Sequence, residues 1–194
     1  MKKIILASGS PRRKMLLEWA EMSFEVVVSD ADESFCEDHD PVDVALQIAK
    51  MKNHATASMP GIERSETIII SADTIVVLDQ KVIGKPKDRN EAIHILSQLS
   101  GRSHTVITAV CITSDVDECL FHVETEVVFH PITITDIEHY VDVYKPYDKA
   151  GAYAIQEWIG VIGIQQIKGD FYNVMGLPVS TVIRTLNERF LHRK

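Results

Sequence analysis

An α/β fold with a mixed, twisted sheet flanked by helices is what this sequence predicts, on three observations. Strand and helix signals alternate along most of the chain, the pattern of strand–helix layering. The run from Thr67 to Leu78 is β-branched almost throughout, as in a strand covered on both faces. Two further strand signals, Thr105 to Thr113 and Leu120 to Pro131, are separated by the turn Ser114 to Glu118, so a meander adds antiparallel pairing. The 194 residues show no internal repeat, low-complexity tract or linker, which predicts one domain over 1–194.

Taken in order, Lys3 to Ala7 predicts a short apolar strand. A Ser-Gly-Ser turn follows, with Ser10 as N-cap and Pro11 as the first residue of a helix whose apolar face is Met15, Leu16, Leu17 and Trp19. Phe24 to Val28 predicts a strand, and Asp30 to Asp40 an acidic loop. Asp40 caps a helix that starts at Pro41 and runs to about Ala57. Its apolar face is Val42, Ala45, Leu46 and Ala49; Lys52 falls on the flank of that face and Lys50 points elsewhere. After a loop at 59–66 and the long strand, Asp79-Gln80-Lys81 predicts a hairpin turn returning through Val82 and Ile83.

Asp88 and Glu91 form a capping box for a helix that runs to about Ser100 and is closed by Gly101. Thr135 and Glu138 predict a second box, for a helix with Ile137, Tyr140, Val141 and Tyr144 on one face and its end at Lys145-Pro146. In Tyr147 to Gln156 small residues alternate with larger ones, which predicts close backbone packing, a ligand wall, or a loop entering a strand. Ile159 to Ile167 predicts a strand, Gly169-Asp170 a turn, and Pro178 the start of a last helix. The inner face of that helix is Val179, Val182, Ile183, Leu186 and Phe190.

Bulk charge narrows the partners. A net charge of −8 argues against a nucleic-acid polymer or an anionic membrane, yet permits an anionic small molecule where basic residues converge. No run approaches a membrane span, and the apolar part of the N-terminal Met-Lys-Lys-Ile-Ile-Leu-Ala is too short for a signal peptide. Cys36, Cys111 and Cys119 are odd in number and lack metal-ligand spacing, which fits a reduced, cytoplasmic compartment.

Three cations, Arg12, Arg13 and Lys14, fill the first turn of the first helix, where the helix dipole disfavours positive charge. They suit either an anion seated over the free N–H groups or a solvated basic turn. Asp73 is out of place in the middle of a strand, since Asp is depleted in strands and costly to bury unpaired. It is either a perturbed functional carboxylate or the mark of a bulge. With Lys52, Lys85, Lys87 and Lys149, and with Glu33 in the acidic loop, these residues describe a phosphate substrate and a divalent metal. Hydroxyls of Ser8, Ser10 and Thr74 add possible phosphate or base contacts. The eight histidines lack a zinc spacing, and no Ser-His-Asp set or nucleophile elbow appears.

The segments Ala7 to Arg13, Ser71 to Thr74, Gly84 to Pro86, Asp148 to Gln156 and Gly176 to Pro178 together resemble the motifs of the Maf family of nucleotide pyrophosphatases, in family order. The resemblance implies a fold similar to the inosine triphosphate pyrophosphatases, with two lobes around a cleft. It implies hydrolysis of a nucleoside triphosphate to the monophosphate and pyrophosphate with a divalent cation, Mg²⁺ or Mn²⁺. By motif position it makes Asp73 the general base and Ser8, Ser10, Arg13, Lys52 and Lys85 phosphate ligands. Glu33 becomes a second carboxylate near the metal beside Asp73, and Arg12, Thr74 and Gln156 the specificity set of a dTTP/UTP-type branch. It also implies a homodimer. The alternatives are a non-catalytic regulator that binds a nucleotide or a division partner, and a phosphomonoesterase or sugar-phosphate enzyme. Asp73 and Glu33 speak against the first, because a pure triphosphate binder gains nothing from buried carboxylates.

Overall fold

A computed structural model describes residues 2–29 and 40–191. Among the described residues seven strands form one mixed sheet, and the chain divides into two compact units. The first unit comprises Met1–Asp73, Thr108–Val123 and Gly176–Lys194, and the second Thr74–Ile107 and Glu124–Met175. Among the described residues no helix is long and apolar enough to cross a membrane.

In the first unit, β1 (Lys3–Leu6) lies between β2 (Glu25–Val26) and the start of β3 (Thr67–Leu78), parallel to both. The register pairs Lys3 with Thr67 and Leu6 with Ile70. Between these strands run α1 (Pro11–Trp19) and α2 (Pro41–Ala57). The chain moves from β1 to one neighbour through α1, then across to the other through α2. Right-handed crossovers therefore send the two helices to opposite faces. Both faces of β1 are covered, and Ile4, Ile5 and Leu6 are all buried. Ile5 and Ala7 pack with Ile69, Val27, Ala57 and Ile62.

Caps explain where α2 starts. The Asp40 carboxylate accepts from the Val42 N–H at 2.8 Å, and Pro41 takes the first position, where no N–H is needed. At α1 the expectation changes. Ser10 stands at the N-cap position with extended backbone, but its side chain makes no cap bond.

The second unit holds the rest of β3, its hairpin partner β4 (Lys81–Ile83), α3 (Arg89–Leu99), the start of β5 (Ser103–Thr113) and the end of β6 (Glu118–Phe129). Asp79 and Gln80 both adopt positive φ, 50° and 64°, which matches the twist of a two-residue hairpin. The expected cap of α3 is present: Asp88 accepts from the Glu91 N–H at 2.9 Å. Glu91 answers with a bond from the Lys87 N–H at 2.7 Å, one residue outside the expected reciprocal contact.

Three expectations need correction. Helix α4 (Ile134–Tyr144) is capped by Thr133, not Thr135, because the Thr133 hydroxyl accepts from the Asp136 N–H at 3.2 Å. The run 159–167 is not all strand: α5 (Trp158–Gly163) precedes β7 (Ile164–Lys168). Its glycines decide this, since Gly160 and Gly163 let a helical turn pack where a side chain would collide with Ile155 and Ile132. A short helix α6 (Phe171–Met175), absent from the sequence reading, precedes α7 (Val179–Thr185), which runs on into a π-helical turn at Leu186–Phe190.

The core of the second unit contains an acid-sensitive group. His104 is buried, 2.8 Å from the Tyr153 hydroxyl and edge-on to Phe129 and Tyr153. Burial pushes its imidazole down to about 4, from 6.5. Its Nδ1 meets no partner among the described residues, so an imidazolium would carry an unpaired buried N–H. The unfolded chain therefore takes up this proton first. Stability is complete above the unfolded value, falls as pH drops through it, and stops falling below the folded value. Wild-type protein is expected to lose on the order of 2 to 3 kcal/mol more than His104→Phe between pH 7 and pH 4.5. Urea melts of both at the two pH values check this, and equal losses would refute it.

Candidate active site

The candidate site of the first unit grows from the carboxyl ends of two parallel strands. The order β2-β1-β3 reverses direction at β1, and in open α/β sheets such a switch point leaves a crevice at the strand ends. The Ala7 N–H donates to the Ile70 carbonyl at 2.7 Å, and Ser8, Gly9 and Ser10 then lead into α1. Ser8 is buried, and its hydroxyl accepts from the Ser10 N–H at 3.3 Å and from Arg13 Nη1 at 3.1 Å. Arg13 is also buried, and its Nε donates to the Gly176 carbonyl at 2.8 Å. The guanidinium thus turns back onto the loop before α1 and onto the segment before α7. It is not part of a solvated turn, whereas Lys14 is exposed and pairs with Glu18. Arg12 is half-buried.

Asp73 lies within β3, three residues beyond Ile70, the last residue in register with β1. Its carboxylate accepts from Lys52 Nζ at 2.7 Å, with the two side chains 12% and 15% exposed. Local packing sets this pair. Asn53, next to Lys52 on α2, is fully buried and donates to the carbonyls of Ile69 and Cys111, both at 3.0 Å. Its amide oxygen accepts from the Thr113 hydroxyl at 2.6 Å, and Ser71 donates to the Ala49 carbonyl at 2.6 Å. These bonds fix α2 against β3 and β5, so Lys52 arrives beside Asp73 with little freedom. The flank position of Lys52 is therefore a turn inward.

Cys111, on the same stretch of β5, is buried, and desolvation pushes its thiol up to about 12. It packs as an inert apolar residue.

In the second unit, Thr74 is half-buried on β3, Lys85 is exposed after β4, and Gln156 is exposed in a turn before α5. Two of these segments are anchored by the run 148–157. The Gly151 N–H donates to the Gly84 carbonyl at 3.2 Å, which fixes the backbone just before Lys85. Gly151 itself has φ +69°, and a Cβ there would lie 2.8 Å from Val76 Cγ2. Lys149 is buried, 2.8 Å from Asp148 and 3.6 Å from Glu157. By sequence Lys149 joins the cations of a phosphate site and Tyr140 a helix face, whereas the structure pairs Lys149 with Asp148 and Glu157 and bonds the Tyr140 hydroxyl to Glu157. Their convergence on Glu157 has one local signal, the Asp-Lys pair ahead of a small-residue run.

Glu33 lies outside the described residues. Among the described residues no three His, Cys, Asp or Glu side chains converge as metal ligands. Asp73 supplies a carboxylate beside the Lys52 ammonium. That donor set suits a hard divalent ion carried by phosphates, which needs one or two protein carboxylates rather than a full cage.

A family model described as Maf, Maf-like protein, matches residues 3–189. A Porphyromonas gingivalis protein named dTTP/UTP pyrophosphatase is 44% identical over 187 residues, 96% of this chain and 94% of that one. A Parabacteroides distasonis protein of the same name is 48% identical over 185 residues, 95% and 94% of the two chains. A third, from Bacillus cytotoxicus, is 44% identical over 188 residues, 97% and 96%. Among solved structures, the Staphylococcus aureus Ham1 protein matches with TM-score 0.45 and 13% identity over 66% of this chain and 72% of that one, a likeness too low to argue from.

Proposed function

The chain belongs to the Maf family, and from that membership we propose that it hydrolyses nucleoside triphosphates to the monophosphate and pyrophosphate. In this reading dTTP, UTP and modified pyrimidine nucleotides are preferred. The observation that carries it is the nearly enclosed Lys52–Asp73 pair beyond the carboxyl end of β1, in a unit whose first helix opens with Arg12 and Arg13.

Cleavage between the α and β phosphates needs neutralised phosphate charge and a positioned water. Ser8, Ser10, Arg13, Lys52 and Lys85 serve as phosphate ligands in this reading. Asp73 accepts the proton as the water oxygen bonds to the α phosphorus and the bond to the bridging oxygen breaks, releasing pyrophosphate. A triphosphate competes for the Lys52 ammonium, which leaves the Asp73 oxygen able to take that proton. Asp73, with Glu33, would hold a divalent cation, Mg²⁺ or Mn²⁺, which when bound spreads the charge of the phosphates. Arg12, Thr74 and Gln156 select the base. The two units are taken to function as one Maf-like domain over 1–194, as a cytoplasmic homodimer whose assembly sedimentation would measure.

The test is pyrophosphate release from a panel of nucleoside triphosphates with Mg²⁺ or Mn²⁺. Turnover strongest with dTTP and UTP is expected. No turnover of any pyrimidine triphosphate would refute the reading, and orthophosphate as product would replace it with a phosphomonoesterase.

A further inference from the structure

Gln156 sits at the corner of a tight turn whose two ends, Ala154 and Glu157, are each held by hydrogen bonds. The Glu157 N–H closes the turn onto the Ala154 carbonyl at 3.1 Å. The Ala154 N–H donates to the Tyr140 hydroxyl at 3.2 Å. The same hydroxyl donates to Glu157 Oε2, so one oxygen clasps both ends of the turn. The other carboxylate oxygen of Glu157 faces Lys149 at 3.6 Å. Ile155 is pressed against α5, where only a glycine fits: a Cβ at Gly160 would stand 1.8 Å from the Ile155 carbonyl oxygen. Ala154, Ile155 and Tyr140 are buried while Gln156 is exposed.

This is an unusual investment for a surface turn. A glutamine amide reads a base edge by two directional hydrogen bonds, and a shift of its backbone by a fraction of an ångström misaligns both. A buried phenol hydroxyl used as donor and acceptor at once fixes that backbone more tightly than packing alone. The Tyr140 ring is itself stacked on Tyr144, with centroids 4.9 Å apart, so the hydroxyl is held in place.

We propose that Tyr140, through its paired bonds to Ala154 and Glu157, is a positioning residue for Gln156 and sets how sharply the protein tells one nucleobase from another. The inference rests on the pyrophosphatase reading and deepens it. Tyr140 is fully buried, so its hydroxyl acts on base choice through the turn rather than by direct contact with the substrate.

The test is Tyr140→Phe, which removes one oxygen, with kcat and KM measured for dTTP and dCTP and compared with Gln156→Ala. The ratio of kcat/KM for dTTP over dCTP is expected to fall by about tenfold, mainly through KM for dTTP. In the Gln156→Ala background the same change is expected to leave that ratio where Gln156→Ala put it, because both act through one amide. Wild-type turnover with an unchanged ratio in Tyr140→Phe would overturn the inference alone. A full further loss in the double variant would do the same, since a general structural effect is independent of Gln156. Absence of wild-type turnover would overturn the pyrophosphatase reading and this inference together. Should Tyr140→Phe fail to fold, Glu157→Gln, which keeps an acceptor for the hydroxyl but loses the charge facing Lys149, is measured in its place, with a smaller fall in the same ratio expected and no fall overturning the inference.

Discussion

Asp73→Asn is expected to lower kcat for dTTP by about 10²- to 10⁴-fold, with a much smaller change in KM, because in the proposed mechanism it removes a proton acceptor used only in the transition state. The substitution preserves volume, and the amide oxygen can still accept from Lys52, whose Nζ is 2.7 Å away. The fold therefore survives, and the thermal midpoint is expected to move by only a few degrees. What is lost is the charge pair, and the pair is nearly enclosed, with 12% and 15% of its side chains exposed. Breaking so enclosed a pair outright would be costly, but the polar replacement avoids leaving Lys52 unpartnered. Initial-rate kinetics beside a circular dichroism melt separate the two effects. An Asp73→Asn protein that keeps wild-type kcat would remove Asp73 from the role of base.

Gly160→Ala is expected to destabilise the chain by about 3 kcal/mol or more, lowering the thermal midpoint by on the order of 10 °C for a chain of this size. The added Cβ would sit 1.8 Å from the Ile155 oxygen and 2.6 Å from its carbonyl carbon. Both are backbone atoms, so no rotamer relieves the clash and the turn itself must move. That turn carries Gln156, the proposed base-reading residue, so on that proposal surviving protein is expected to lose base discrimination as well as stability. Gly163→Ala is the control. Its Cβ would meet Ile132 Cδ1 at 2.8 Å, the end of a flexible side chain that can rotate away. Scanning calorimetry of the two variants tests the contrast, and equal midpoints would refute it.

Local chemistry made much of this protein readable in its sequence. Asp40-Pro41 and Asp88 with Glu91 start their helices as written, because a capping side chain acts on N–H groups two or three residues away. The β-branched run at 67–78 is a buried strand because its period and its side-chain shape agree. Asp73 stood out because a carboxylate in such a strand contradicts its surroundings.

Where the local signals were ambiguous, packing ruled. Ile-Gly-Val-Ile-Gly-Ile suits a strand by composition, yet close approach of Ile155 to Gly160 makes it a helical turn followed by β7. Thr133 and Thr135 both offer a hydroxyl at the start of α4, and the cap is the one whose hydroxyl meets the Asp136 N–H, Thr133, with Thr135 already inside the helix.

The sequence alone therefore establishes the fold class, most of the helix starts and the kinds of side chain on offer, since these follow from neighbours a few residues apart. The tertiary structure supplies the partners. Arg13 reaches Gly176, Lys52 reaches Asp73, Asn53 reaches Cys111, and Tyr140 closes both ends of the turn at Gln156. Those contacts depend on strand order and helix register, and a hydrogen bond between residues far apart along the chain leaves no periodic trace in it.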